Sequence, residues 1–195
     1  MAAEPVDPDG LYDAPPEREP LEVHLTPMRR RHLRTVIRIE TEVYPRPWTL
    51  NLFVSELSMR SSRSYYVAKV GPTVVGYSGV MLVGEDAHVT TIAVDPHWHR
   101  HQIGTRLLLN IANDARARGA RHLTLEVRVS NEPAQRMYRT FGFRPAGIRK
   151  GYYVETNEDA LVMWADDIDD PEYASRLLRI ESGIAGTTVV DPARP

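Results

Sequence analysis

The chain has 195 residues, with 24 basic and 26 acidic side chains, a formal net charge of −2 and no cysteine. This length suits one domain with a sizeable core and terminal extensions, and without cysteine neither disulfides nor a cysteine acyl-enzyme can form. The small net charge gives no general attraction to nucleic acid or to an anionic membrane. Because no stretch approaches the ~20 apolar residues of a membrane span, we expect a cytoplasmic protein without a membrane partner or a direct nucleic-acid partner.

Residues 1–20 are rich in proline and acidic side chains, with few large apolar ones, so a disordered tail is predicted there. Apolar residues then alternate with polar ones over 21–25, which predicts the first strand. Thr26 as N-cap and Pro27 at the first helical position predict that a helix begins directly after this strand. That helix carries five arginines within 29–38, which favour a solvated face over a patch that binds phosphate or an acidic partner.

Residues 44–48 (YPRPW) are predicted to form a loop, because Pro47 biases the residue before it towards extended geometry. Thr49 is the predicted N-cap of the short helix that follows. A rigid loop with two aromatic side chains can form one wall of a substrate site. Trp48 suits a buried position beneath the loop equally well, since tryptophan is often largely buried.

Three strands over 65–70, 74–83 and 87–94 are joined by short turns, which predicts an antiparallel meander. A predicted helix over 103–118 and a predicted strand over 123–129 come next. A strand–helix–strand unit of this kind implies that the two strands pair in parallel through a right-handed crossover.

Asn131 is the predicted cap of a helix that ends at Gly142, and two more strands complete the sheet. The predicted fold is α+β: a mixed, largely antiparallel sheet flanked by helices on both faces, within residues 21–167. Residues 168–195 are predicted as a C-terminal extension. It holds a short helix at 171–180, which packs on the domain or on a partner, and a loose tail after it.

The stretch from Thr91 to Leu109 combines the end of a buried strand, a turn at Asp95, a polar loop and an amphipathic helix. Backbone N–H groups and the positive end of the helix dipole meet at such a loop, and this combination binds phosphate. Gly104 allows the backbone to approach a pyrophosphate closely. An ordinary strand–helix turn explains the same pattern, so both interpretations stay open on these residues alone.

The same stretch resembles the acetyl-CoA-binding motif of the GNAT N-acetyltransferases, in which a Gln/Arg-x-x-Gly-x-Gly/Ala loop follows a strand. The segment LEVRVSNEPAQRMYRTFGF at 125–143 is similar to the RimI-type ribosomal-protein alanine N-acetyltransferases. Residues 44–48 and the Gly-Tyr-Tyr sequence at 151–153 are similar to them as well. The resemblance extends over residues 21–167.

The loop departs from the family motif at two positions. When Gly104 is aligned with the last glycine, His99 stands at the Gln/Arg position and Gln102 at the middle glycine. Backbone donors remain at both positions, but Gln102 has a Cβ and adopts a positive φ only at an energetic cost. We therefore expect the same cofactor with an altered grip on its pyrophosphate.

The resemblance implies an acetyl-CoA-dependent N-acetyltransferase that acts by direct transfer in a ternary complex. Its implied substrate is the N-terminal α-amine of a protein, alanine first, with a ribosomal protein as the expected partner. By the same resemblance Glu126 is the proton acceptor and Tyr138 the proton donor. The positions matched to cofactor binding are Ile92, Ala93 and Val94 through their backbone, Arg100, His101, Gln102, Ile103, Gly104, Thr105 and Asn131. The positions matched to substrate binding are Tyr44, Trp48, Tyr152 and Tyr153.

Without the resemblance, these residues have simpler explanations. A mid-strand glutamate such as Glu126 is most often exposed, and it is a sufficient base for an α-amine only if its own pKa is raised. Tyr138 would ordinarily be a core aromatic, and it can protonate a departing thiolate only in a concerted step or with a lowered pKa. The capping role of Asn131 explains that residue equally well.

Alternating histidines at His97, His99 and His101 could converge on zinc or nickel. No cysteine joins them and their loop is matched to phosphate binding, so no metal site is expected. Two other functions stay open. One is a GNAT acetyltransferase for protein lysine or a small amine, and the other is a non-catalytic module that binds acyl-CoA or contacts RNA through the arginine-rich helix.

Overall fold

Eight strands and five α-helices follow one another in the computed structural model, which describes residues 20–191. The strands are β1 (Leu21–Pro27), β2 (Arg63–Val70), β3 (Thr73–Val83), β4 (Asp86–Val94), β5 (His122–Arg128), β6 (Arg144–Tyr153), β7 (Glu158–Ala165) and β8 (Gly186–Val190). The helices are α1 (Leu33–Val43), α2 (Leu50–Ser58), α3 (Ile103–Ala117), α4 (Glu132–Thr140) and α5 (Pro171–Ser182). The predicted disordered tail at 1–20 lies outside the described residues except for its last position.

One sheet contains all eight strands, in the order β6-β7-β5-β4-β3-β2-β1-β8. The pairs β4–β5 and β1–β8 are parallel and the other pairs are antiparallel. Helices α3, α4 and α5 pack their apolar residues on one face of this sheet, whereas α1 and α2 pack on the other. The predicted α+β architecture is therefore confirmed. Among the described helices, none has the length and apolar character needed to cross a bilayer.

The parallel strands β4 and β5 pair over three residues only, from Asp86 opposite His122 to His88 opposite Thr124. Beyond His88 the described strands share no further register, so the sheet opens between them. Each strand runs from there into the loop before a helix, α3 after β4 and α4 after β5. Ligand sites in sheets of this kind lie outside the carboxyl ends of parallel strands, and the opening lies at such a point.

The predicted helix start at Thr26 and Pro27 is wrong. Strand β1 continues through both residues, with Thr26 opposite Val67 of β2, and the helix α1 begins only at Leu33 after a short 3-10 turn. Pro27 lies beyond Leu25, where the pairing of β1 with β8 ends, so the strand is locally an edge strand, in which proline is tolerated. Pairing with the neighbouring strand therefore overrides the local capping signal.

The predicted loose tail after residue 180 is wrong for its described part. Gly186–Val190 forms β8, which pairs in parallel with β1 from Leu21 to Leu25. Gly186 has a φ of 82°, and a Cβ there would lie 2.3 Å from the carbonyl oxygen of Leu21, so this close approach requires glycine. Helix α5, whose placement the sequence left open, packs on the domain itself through buried Tyr173.

Candidate active site

The open edge of β4 is the first component of the candidate site. The phenol of Tyr44, in the loop between α1 and α2, donates to the carbonyl of Ile92 at 2.8 Å. The ring of His99 lies 3.2 Å from the next outward carbonyl, that of Val94. Both contacts come from side chains, since β5 has already diverged at this height of the sheet. The predicted substrate loop and the predicted cofactor strand thus touch directly.

Glu126 extends from β5 on the same face as His88 of β4. Its side chain is 8% exposed, with one carboxylate oxygen 3.1 Å from the Nε2 of His88 and the other 3.0 Å from a guanidinium nitrogen of Arg149. The hydrogen bond from His88 holds the pKa of the Glu126 carboxyl below its usual value, against the opposing effect of burial. The sequence analysis required a raised pKa of the Glu126 carboxyl for this residue to be a sufficient base. The pKa is lowered instead, so that requirement is not met.

This pairing limits what the Glu126 carboxylate can do. It is ionised near neutral pH, as a base must be, but both of its oxygens have cationic or hydrogen-bonding partners. The Arg149 side chain is 58% exposed. An incoming ammonium group can therefore displace Arg149 from the Glu126 oxygen that it contacts. The sequence contains no local signal for His88, because its proximity to Glu126 follows only from the parallel register of β4 and β5.

Tyr138 of α4 is buried in the main core, with its ring centre 5.8 Å from that of Phe143. Burial raises the pKa of its phenol above the usual value, and the nearby phenols of Tyr44 and Tyr153 raise it further. Its proton is therefore retained at neutral pH. A proton donor with such a pKa can serve a departing thiolate only in a concerted step.

The loop that carries Trp48 is fixed by a buried carboxyl group. The backbone N–H of Trp48 donates to Glu40 at 2.8 Å, and the phenol of Tyr77 donates to the other oxygen of Glu40. Glu40 is 2% exposed, and its desolvation raises the pKa of the carboxyl to about 7. The Trp48 ring packs on Phe53 with 5.3 Å between ring centres. Trp48 is half-buried, which lies between the substrate wall and the buried position that the sequence left open. The sequence did not indicate the role of Glu40.

Tyr152 and Tyr153 lie at the end of β6, on the far side of the opening. Their rings meet edge to face with 5.1 Å between centres. The guanidinium of Arg128 stacks 3.9 Å from the centre of the Tyr153 ring, and Glu155 and Glu158 bind that guanidinium at 2.8 and 3.2 Å. This network fixes Tyr153, whereas Tyr152 is 45% exposed and available for contact.

The loop before α3 has the features of an anion site. Arg100 and Gln102 have positive φ angles of 68° and 57°, and α3 begins without a side-chain cap. Uncapped N–H groups at the positive end of a fifteen-residue helix suit a phosphate. Gly104 has no positive φ, and a Cβ there would meet Met137 at 3.5 Å, so packing within the protein does not require glycine. Asn131 does cap α4, accepting the N–H of Ala134 at 3.2 Å.

The three histidines of this loop make separate contacts. His97 binds Asp95 at 2.9 Å, the His99 ring points to the strand, and the His101 ring binds the backbone of His99 at 2.9 Å. Within the described residues, His97 forms a group of possible metal ligands with Asp95 and Glu42, all within 4.8 Å of one another. Arg38 already binds both carboxylates there.

The sequence also matches a family. A model of the acetyltransferase (GNAT) family matches residues 33–143, which is more than half of the chain. The chain belongs to the GNAT acetyltransferase family. A Bacillus subtilis protein provisionally named a ribosomal protein bS18-alanine N-acetyltransferase is 39% identical over 137 residues, 70% of this chain and 91% of the other.

Two further comparisons agree with this assignment. The ribosomal protein bS18-alanine N-acetyltransferase of Escherichia coli is 32% identical over 133 residues, 67% of this chain and 88% of that one. The crystal structure of the Escherichia coli ribosomal-protein-S18-alanine N-acetyltransferase superimposes with a TM-score of 0.68 at 28% identity, over 74% of this chain and 94% of that one. The resemblance to the GNAT family is thus confirmed, and the protein is an N-acetyltransferase.

Proposed function

We propose that this acetyltransferase moves the acetyl group of acetyl-CoA directly to the N-terminal α-amine of a protein, in a ternary complex and with alanine preferred at the first position. The convergence of Glu126, Tyr138 and the phenols of Tyr44 and Tyr153 around the opening between β4 and β5 carries this proposal. The names of its relatives support a ribosomal protein as the substrate. The expected cytoplasmic location remains a prediction.

Acetyl-CoA would bind along the open edge of β4 and at the start of α3. The stretch from Ile92 to Val94 runs along this edge, and an added strand there would replace Tyr44 and His99 on the carbonyls of Ile92 and Val94. The N–H groups at the start of α3, a helix without a side-chain cap, suit its pyrophosphate. The thioester supplies the activated acetyl group. Asn131 lies at the start of α4 and would contact the same molecule, although its side chain also caps the helix.

In the proposed reaction a C–N bond forms to the substrate amine and the C–S bond of the thioester breaks. Glu126 accepts the proton that the amine loses, on the oxygen that Arg149 otherwise contacts. Tyr138 donates its proton to the departing sulfur as that bond breaks, because its raised pKa rules out prior ionisation. No covalent intermediate on the protein is required.

The state of Glu126 favours an α-amine over a lysine. An α-amine has a pKa of about 8 and a lysine side chain one of about 10.4. A carboxylate with a lowered pKa is a weak base, and each additional unit of amine pKa makes proton removal tenfold less favourable. The Tyr152 ring is 45% exposed and would be able to contact an extended chain end.

A competition between two peptides of one sequence tests the proposal. One peptide has a free alanine N-terminus, and the other is N-terminally blocked and contains an internal lysine. We expect acetylation of the free peptide only, as measured by mass spectrometry. Equal acetylation of the blocked peptide would replace the α-amine by lysine as substrate.

A further inference from the structure

Gln102, the residue that departs from the family motif, binds the C-terminal extension with both ends of its side-chain amide. Its nitrogen donates to the carbonyl of Gly183 at 3.1 Å, and its oxygen accepts the N–H of Ala185 at 2.9 Å. These bonds span more than eighty residues of sequence. An amide that is engaged at both ends holds the loop and the extension in one relative position.

Arg106, one turn further along α3, holds the same extension. It is 1% exposed, and its guanidinium donates to the carbonyl of Ala185 and to the hydroxyl of Thr188. These acceptors are neutral, and the Nε atom of Arg106 has no hydrogen-bond partner within the described part of the chain. No carboxylate between residues 20 and 191 forms an ion pair with this buried cation, so its positive potential near the start of α3 favours an anion.

The backbone at Gln102 explains why such a contact is needed. Its φ of 57° and ψ of 19° are left-handed, a conformation that a side chain with a Cβ adopts at a cost. Its side chain also does not cap α3, so the helix supplies no compensating bond at this position. The two hydrogen bonds to the extension offset this cost, and they leave the first turn of α3 without a side-chain cap from Gln102.

We propose that Gln102 is a positioning residue and that residues 183–188 form a brace for the phosphate-binding loop. The brace keeps the loop N–H groups in the orientation that the acetyl-CoA pyrophosphate requires. This inference rests on the proposed binding of acetyl-CoA at that loop. In place of the glycine of the family motif, this chain uses a residue that needs outside support, and its C-terminal extension provides that support.

Two substitutions at Gln102 separate the brace from general stability. Gln102→Met keeps the size and the Cβ but loses both hydrogen bonds, so acetyl-CoA should bind about tenfold more weakly, as expected for an unsupported left-handed residue. Gln102→Gly loses the same bonds but tolerates the left-handed backbone, and its loss of affinity should be smaller. The dissociation constant of acetyl-CoA is measured by titration calorimetry, and KM for the peptide should not change.

Neighbouring threonines provide a matched control. Thr188→Val removes an acceptor of Arg106 and should weaken acetyl-CoA binding in the same direction, whereas Thr187 is exposed and Thr187→Ala should bind like the wild type. If KM for the peptide and for acetyl-CoA rise together, Gln102 has a general structural role and the inference is overturned. Wild-type affinity in Gln102→Met would overturn it as well.

The outcomes also separate this inference from the function on which it rests. A wild-type protein that does not bind acetyl-CoA contradicts the proposed function. A wild-type protein that binds acetyl-CoA, together with Gln102→Met and Thr188→Val variants that bind it equally well, contradicts the brace alone. Should Gln102→Met not fold, Gln102→Gly and Thr188→Val still decide, because neither places a new strained residue in the loop.

Discussion

Glu40 is 2% exposed and the Glu126 side chain is 8% exposed, yet the pKa values of these two carboxyl groups beside the cleft move in opposite directions. Glu40, behind the aromatic loop, receives hydrogen bonds from two neutral donors, the N–H of Trp48 and the phenol of Tyr77. Desolvation therefore dominates and raises its pKa to about 7. Glu126, at the strand opening, is bound by His88 and approached by Arg149, and its pKa is lowered.

The difference shows that burial by itself does not determine the charge of a carboxyl group. Neutral donors satisfy the lone pairs but supply little charge to offset desolvation, so the protonated form gains. At Glu126 the hydrogen bond from His88 and the charge of Arg149 favour the ionised form, and together they outweigh desolvation. Glu40 thus suits a supporting role that tolerates protonation, and Glu126 suits a role that needs a charge throughout the neutral range.

The largest expected effect is on turnover in Glu126→Gln. This change keeps the shape of the side chain but removes the proton acceptor, and general acid–base groups typically contribute ~10²–10⁴-fold to the rate. We therefore expect kcat to fall by at least about a hundredfold with little change in acetyl-CoA affinity. Glu40→Gln is the matched control, and steady-state kinetics should show a much smaller change in its kcat. Equal losses of kcat in the two variants would contradict the assignment of Glu126, and not Glu40, as the proton acceptor.

Tyr138→Phe should reduce kcat by about a hundredfold, the lower end of the range for a general acid, because the departing sulfur then takes its proton from water. Tyr173→Phe provides the control. Tyr173 is also a buried tyrosine, its hydroxyl has no hydrogen-bond partner among the described residues, and it lies on α5 and not on α4. Its kcat should equal that of the wild type. If the two variants lose activity equally, Tyr138 acts through packing.

The raised pKa of Glu40 predicts how stability depends on pH. A carboxyl whose folded pKa of about 7 exceeds its unfolded value of 4.5 stabilises the fold below pH 4.5, and this contribution is lost as the pH rises through 7. Relative to Glu40→Gln, the wild type should lose up to about 3 kcal/mol of unfolding free energy between pH 5 and pH 8. Urea denaturation at both pH values measures this loss. Parallel curves for the two proteins would show that Glu40 is ionised throughout.

The smallest predicted effect is a displacement of the acidic limb of the kcat/KM profile. Removing the hydrogen bond from His88 in His88→Ala should raise the pKa of Glu126 and move this limb to higher pH. Arg149→Met should move it in the same direction but less far, because Arg149 is more exposed and its effect is screened by solvent. A shift to lower pH in either variant would contradict the assignment of Glu126 as the group that must lose its proton.

Several local features were predictable from the sequence because their causes are local. Thr49 caps α2 and Asn131 caps α4, as their positions before apolar periodic segments indicated. Gln102 replaces the middle glycine of the family motif, which predicted a positive φ at an energetic cost. Gln102 does adopt a positive φ. The positions of Glu126 and Tyr138 came from the family resemblance, and their roles remain predictions until the variants are measured.

Other features could not be read from neighbouring residues. Thr26 and Pro27 have the chemistry of a helix start, but long-range pairing with β2 keeps them in a strand. The residues after 180 have no clear alternation of apolar and polar side chains, and they form β8 because the edge of β1 is available to them. The lowered pKa of Glu126 depends on His88, 38 positions earlier in the chain, which reaches it across the sheet.

By itself the sequence determined the order of the elements as far as α5, the caps of α2 and α4 and the family, because periodicity, turn residues and motifs act over a few neighbouring positions. Only the tertiary structure decided which charges meet. The parallel register of β4 and β5 brings His88 to Glu126, and the packing of the C-terminal extension brings Ala185 to Gln102. The sign of a pKa shift and the support of a strained loop depend on such partners, since both arise from groups within a few ångströms in space.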